Sequence, residues 1–177
     1  MIENYYVVKY TGIFGFIKPF SAIRDELTCS QSFLTPSILN GIEQKLFPET
    51  LDQKKNSIII SHKLSHNGQS MQQEMVRARV YKNESSMGVI KRGVLIRPVL
   101  HLAFPNEIYA KSAFKQHICL TRNEDLLFPE ENFICTKEEF ENIPGMSFAE
   151  SEDGEGLLVG FNRYDSFKEM IVNLSIK

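Results

Sequence analysis

Residues 11–46, TGIFGFIKPFSAIRDELTCSQSFLTPSILNGIEQKL, constrain this chain more than any other segment. A strand rich in Tyr and Val, residues 4–12, runs into them and ends at a glycine. Residues 13–33 have no sustained helical period and carry Gly15, Pro19 and several Ser and Thr, so they read as loop, with room for one short helical turn near 21–27. A helix follows. The Thr35 hydroxyl is placed to accept from an orphan backbone N–H, and Pro36 suits the first helical position because it has no donor to leave unpaired. Ile38, Leu39, Ile42 and Leu46 recur at helical spacing, and Pro48 stops the run.

Beyond the helix, Ile58, Ile59 and Ile60 give a β-branched strand over residues 57–62. Residues 63–93 contain Gly68, Gly88 and Gly93 with many Ser and Gln, and a strand at 75–81, which reads as a long polar β-hairpin standing off the core. Residues 94–104, VLIRPVLHLAF, are a strong strand with an edge, bulge or bend at Pro98. A short helix is expected over 106–115 and a strand over 117–120. Residues 126–143 are acidic and mixed, GLLVGFNRY is a strand, and 165–174 fit helix or strand equally. The expectation is one α+β domain of 177 residues, with 63–93 as an inserted hairpin and 144–177 as a C-terminal extension.

No stretch approaches the roughly 20 apolar residues that span a bilayer, and the first residues lack the pattern of a secretory leader. Cys29, Cys119 and Cys135 form no CxxC pair, which removes zinc-knuckle and disulfide-framework readings and suits a reducing cytoplasm. No metal or cofactor is expected. The net charge of -2 hides an asymmetry: residues 54–115 hold eleven cations against Glu74, Glu84 and Glu107, whereas residues 124–155 hold eleven anions against Lys137. A near-neutral total therefore conceals a basic segment able to meet a polyanion.

The order strand, loop, helix, strand, long hairpin, strand, short helix, strand is a modified βαββαβ arrangement. With FGFIKPF, then FLTPSILNGIEQKL carrying Pro36, Ser37 and Gly41, and the later patch ICLTRNEDLLFP, in which Thr121 stands where a glycine is common, the chain resembles the CRISPR-associated RAMP proteins, most closely the Cas-five family. The two patches cover about a third of the chain. The resemblance implies a ferredoxin-like (RRM-like) RAMP fold with an antiparallel sheet and a β-hairpin thumb. It also implies a subunit of a Cascade-type guide-RNA complex that holds the 5′ handle of the CRISPR RNA. The implied neighbours are a repeated Cas-seven-type backbone subunit and a large subunit, with target DNA reached indirectly through the complex.

Phosphates need cations and splayed bases need π-faces. The first loop supplies both: Lys18 and Arg24 as phosphate contacts, Phe14, Phe16 and Phe20 as stacking candidates. Ser37 and Asn40 near the helix start, Lys63, Arg77, Arg79, Lys82, Lys91 and Arg92 along the hairpin, and Arg122 in the later patch complete the expected RNA-binding set. Metal-independent RNA cleavage needs an acid–base pair, best from histidine. His62, His66, His101 and His117 form no local cluster, and a set of Tyr81, Lys63 and His66 across the hairpin is the endoribonuclease alternative. Glu138, Glu139 and Glu141 read as a solvated helix face or a protein-docking surface, which leaves a protein-interaction domain without RNA binding as a third reading.

Overall fold

The computed structural model describes residues 4–19, 27–50, 57–77, 87–151, 155–162 and 166–177. Its first half runs β1 (Asn4–Thr11), β2 (Phe14–Gly15), β3 (Leu27–Cys29), α1 (Pro36–Leu46), a 3-10 turn (Pro48–Thr50), β4 (Ser61–Ser65), β5 (Gln69–Arg77) and β6 (Met87–Ile96). The second half runs β7 (Val99–Phe104), α2 (Glu107–Ala113), β8 (Ile118–Cys119), β9 (Leu126–Thr136), α3 (Lys137–Glu141), β10 (Met146–Glu150), β11 (Leu157–Asn162) and β12 (Lys168–Ile176). The chain is α+β, with antiparallel pairing dominant.

Eight strands form one sheet in the order β11-β12-β10-β4-β7-β1-β9-β8. At its centre β1 pairs antiparallel with both β7 and β9, and β7 pairs antiparallel with β4. The alternation of β1 explains how it divides the interior. Val8 and Tyr10 join Leu64, Leu100, Leu102 and Phe104 in the main core, with Ile42 and Leu46 of α1 and Ala110 and Ala113 of α2. Each such leucine contributes roughly 1.5–3 kcal/mol through burial. The Tyr10 hydroxyl donates to the Ala113 carbonyl at 2.7 Å, tying α2 to the sheet. Val7 points the other way and packs with Ala103 and Phe140 of α3.

A second sheet stands beside the first. Its long strand β6 pairs with β5 on one side, and with β2 and the parallel β3 on the other. The β5–β6 hairpin thus leaves the main sheet after β4 and returns to it at β7. Residues 63–65, expected in the hairpin, lie in β4 instead, and the hairpin extends to Ile96. The strand expected over 94–104, with an edge, bulge or bend at Pro98, is two strands: Arg97 takes a left-handed conformation (φ 47°) before Pro98, and the chain passes between sheets there.

Other local expectations change for physical reasons. Ile58 and Ile59 are buried but precede β4, because Glu43 Oε2 on α1 accepts from both their N–H groups at 2.8 Å and replaces a strand partner. The Thr35 hydroxyl makes no cap bond and pairs with Ser37 Oγ at 2.9 Å. The acidic stretch after 126 is strand β9 followed by α3, which Thr136 and Glu139 open with a reciprocal capping box. The C-terminal residues extend the sheet: β10 meets β4 at Met146 and Leu64, β12 pairs with β10, and β11 with β12. No helix among the described residues is long and apolar enough to cross a membrane.

Candidate nucleic-acid interface

The loop between β1 and β3 is seated by two glycines. A Cβ at Gly12 would stand 2.8 Å from the Leu126 carbonyl oxygen, and one at Gly15 would stand 2.5 Å from Leu120 Cδ1. Their bareness lets the loop lie against β8 and the start of β9. The alternation then sorts the aromatic residues. Phe14 is 37% exposed beside the more exposed Ile13, whereas Phe16 is 2% exposed. The expected stacking role of Phe16 therefore fails, since its ring is covered. Arg97 is exposed and its backbone N–H donates to the Ile13 carbonyl at 2.8 Å, which fixes its backbone next to the loop tip.

Lys18 is exposed, and its N–H donates to Thr121 Oγ1 at 3.2 Å. Thr121 also lines a groove of about 290 Å³ between α1 and the turn after β8, with Ile38, Gly41, Ile42, Lys45, Cys119 and Leu120. Lys45 is exposed and donates to Cys119 Sγ at 3.6 Å. Neither Lys18 nor Lys45 has an ion-pair partner among the described residues. Ser37 and Asn40 are exposed on the same helix, Asn40 accepting from Gln44 at 3.3 Å. Gly41 lies in open space, with nothing within 4 Å of an added Cβ, so no internal packing requires a glycine there.

Arg92 and Arg122 do come together, but in another role. Their guanidinium carbons lie 5.2 and 5.4 Å from the centroid of the Phe16 ring. Arg92 Nε meets Glu74 Oε2 at 2.6 Å. Arg122 takes both oxygens of Asp125, NH2 to Oδ1 at 2.6 Å and Nε to Oδ2 at 2.8 Å, and lies 3.4 Å from Glu124 and 3.8 Å from Glu74. The hydrogen bond to Asp125, against some loss of hydration, raises the Arg122 pKa further. Two cations face three carboxylates, so this cluster fastens the hairpin root to the body and is not a phosphate grip.

The remaining expected cations are scattered. Lys91 is exposed on the face of β6 that carries Val89, level with Gln73 and Leu27 on the neighbouring strands. Lys63 is 3% exposed, level with His101 on β7, and burial and nearby Lys177 lower its pKa against a smaller opposing effect of Glu141. It cannot reach a strand of RNA lying along the hairpin. Arg77 closes β5, of which the structure describes the backbone there; Phe20, Arg24, Arg79 and Lys82 lie outside the described residues.

The histidines are placed apart. His66 Nδ1 accepts from the Gly68 N–H, and Nε2 pairs with Ser32 Oγ, each at 3.1 Å. Tyr81 lies outside the described residues; Lys63 is buried within β4, whereas His66 follows the strand and bonds to Gly68 and Ser32. His62 and His101 are both held neutral, their pKa values lowered to about 4 by burial first and by Lys63 and Lys9 second. A shallow cleft of about 420 Å³ on the sheet face bearing α3 is lined by Lys9, His101, Glu131, Phe133, Cys135 and Glu139 among others. No three His, Cys, Asp or Glu among the described residues are grouped to hold a metal ion.

Sequence reasoning passed over Lys45 and Arg97 as site residues. The Arg-Pro step inside an apolar run marks the break that exposes Arg97. Lys45 carried no signal beyond a cation in the last helical turn. No protein-family model matches the chain, and no curated protein matches it.

Proposed function

We propose that this chain is a non-catalytic RNA-binding subunit of Cas-five type, holding the 5′ handle of a CRISPR RNA in a Cascade-type complex. The observation that carries the reading is the path of the chain through the central sheet. Strand, helix, strand, strand, helix, strand (β1, α1, β4, β7, α2, β9) give the spatial order β9-β1-β7-β4, all antiparallel. That is the order 4-1-3-2 of a ferredoxin-like sheet, with the β5–β6 hairpin inserted between its second and third strands as a RAMP thumb would be.

The RNA-facing set supported by the geometry is smaller than the sequence suggested. Phe14 offers a partly open ring, and Arg97 is an exposed cation on the neighbouring strand end. Lys18 and Lys45 flank the groove along α1, where Ser37 and Asn40 add polar groups. Cations beside a groove, with an accessible aromatic on the first loop, suit a single strand whose backbone is gripped and whose base is splayed. In this reading the acidic α3 and C-terminal strands face protein neighbours, a Cas-seven-type backbone subunit and a large subunit, and DNA is met through the complex.

The test compares two RNAs of equal length, one with a repeat-derived 5′ handle and one with that segment scrambled, by electrophoretic shift with the purified chain. The handle RNA is expected to bind more tightly. Equal binding would remove handle recognition, and no binding to either would remove the RNA reading.

A further inference from the structure

The long edge of the second sheet carries no further strand among the described residues. Among the described residues β5 pairs with β6 alone, over nine residues from Gln69 opposite Leu95 to Arg77 opposite Met87, with no register shift. Antiparallel residues point their N–H and C=O alternately to one neighbour and the other. Ile96 N donates to Gly68 O toward β5, whereas Ser30 N donates to Gly93 O and Arg97 N to Ile13 O on the opposite side of β6. Gln72 and Glu74 therefore bond to β6, and Gln69, Met71, Gln73, Met75 and Arg77 turn their backbone groups to the outer edge.

Folded proteins blunt such edges with proline, lysine, bulges or brevity. Several other edges among the described residues follow that practice. β2, β3 and β8 have two or three residues, β11 has a register shift beside Gly160, and β9 beyond β8 carries Pro129, Glu130, Glu131 and its own shift. β5 has none of these. The sheet face beside it exposes apolar side chains around Gln73 and Lys91: Met71 is 51%, Met75 69%, Val89 49% and Leu27 55% exposed.

We propose that this edge is a self-association surface, at which two copies of the chain pair β5 against β5, antiparallel, about a two-fold axis at Gln73. The sequence of β5 is self-complementary in that register. Met71 meets Met75 of the second copy, Gln72 meets Glu74 and Gln69 meets Arg77. Along the paired strands no like charges oppose each other, Gln72 lies level with the Glu74 carboxylate, and Met71 and Met75 of the two copies come together. The surface is independent of the RNA-facing groove, so either reading stands or falls without the other.

Sedimentation velocity of the full chain over a range of protein concentrations tests it. Wild type is expected to pass from monomer to dimer as concentration rises. Gln73→Pro removes an outward N–H and leaves the β5–β6 ladder intact, so it is expected to remain monomeric with an unchanged circular dichroism spectrum. Met75→Lys, at an exposed position, is expected to shift the transition to higher concentration without loss of fold. A wild-type chain that stays monomeric throughout overturns the proposal and leaves the edge to a strand of a different protein. Dimers equally populated in folded Gln73→Pro and Met75→Lys overturn it too.

Discussion

Arg122 grips the carboxylate of Asp125 with two parallel bonds, of 2.6 and 2.8 Å, and Asp125 is fully buried. The same carboxylate accepts from the Arg122 backbone N–H at 3.1 Å, and the Asp125 carbonyl accepts from Leu120 N at 3.2 Å. The pair therefore folds the turn that seats the first loop and roofs Phe16. Asp125→Ala leaves Arg122 only its longer contacts to Glu124 and Glu74. It is expected to lose about 1.5–3 kcal/mol of stability, read from urea midpoints. A loss within ordinary surface values, about 0.5 kcal/mol, would show that the turn is held otherwise.

Acid should weaken the fold through two histidines. His62 is 2% exposed, lies against Phe148 with ring centroids 4.6 Å apart, and has a folded pKa of about 4 against 6.5 for the free side chain. His101 shifts the same way. Below 6.5 the unfolded chain takes up protons that the folded chain refuses. Stability is thus complete above 6.5 and falls as pH drops toward about 4, by roughly 3 kcal/mol for His62. Urea midpoints across that window should fall less steeply for His62→Leu than for wild type. Parallel curves would assign the acid sensitivity elsewhere.

Gly41 separates stability from binding. A methyl there meets nothing within 4 Å, and alanine is the better helix former. Gly41→Ala is expected to raise stability by about 0.5–1 kcal/mol. The same methyl would project into the groove along α1, so RNA affinity is expected to fall while the melting temperature rises. A variant stabilised with unchanged RNA affinity would place the RNA away from that groove.

The sequence made the central elements legible because their signals are local. The run of Tyr and Val in β1 marked a strand, and Pro36 with Ile42 and Leu46 marked a helix start and its buried face. What it hid is long-range. Glu43 capping Ile58 and Ile59 joins positions that no window spans, and it displaced the expected strand. Lys63 looked like a solvated hairpin cation until β4 was paired with β7, which buried it. Arg92 and Arg122 were rightly seen as basic, but their neutralisation depends on Glu74 and Asp125 arriving from other elements. Spatial charge compensation leaves no periodic trace, so sequence alone could not separate Arg92 and Arg122 from cations such as Lys18 and Lys45 that carry no ion pair among the described residues.

The salt dependence of RNA binding tests the central claim most directly. Association with a single-stranded handle RNA would be measured over a series of salt concentrations, for wild type and for Lys18→Ala with Lys45→Ala. Each phosphate contact on a single strand contributes about 0.7 to the slope of log affinity against log salt. The double variant should therefore show a slope shallower by about 1.4, with weaker binding at low salt and an unaltered melting temperature. Identical slopes and affinities for the two proteins would contradict a polyanion held along α1 and the first loop.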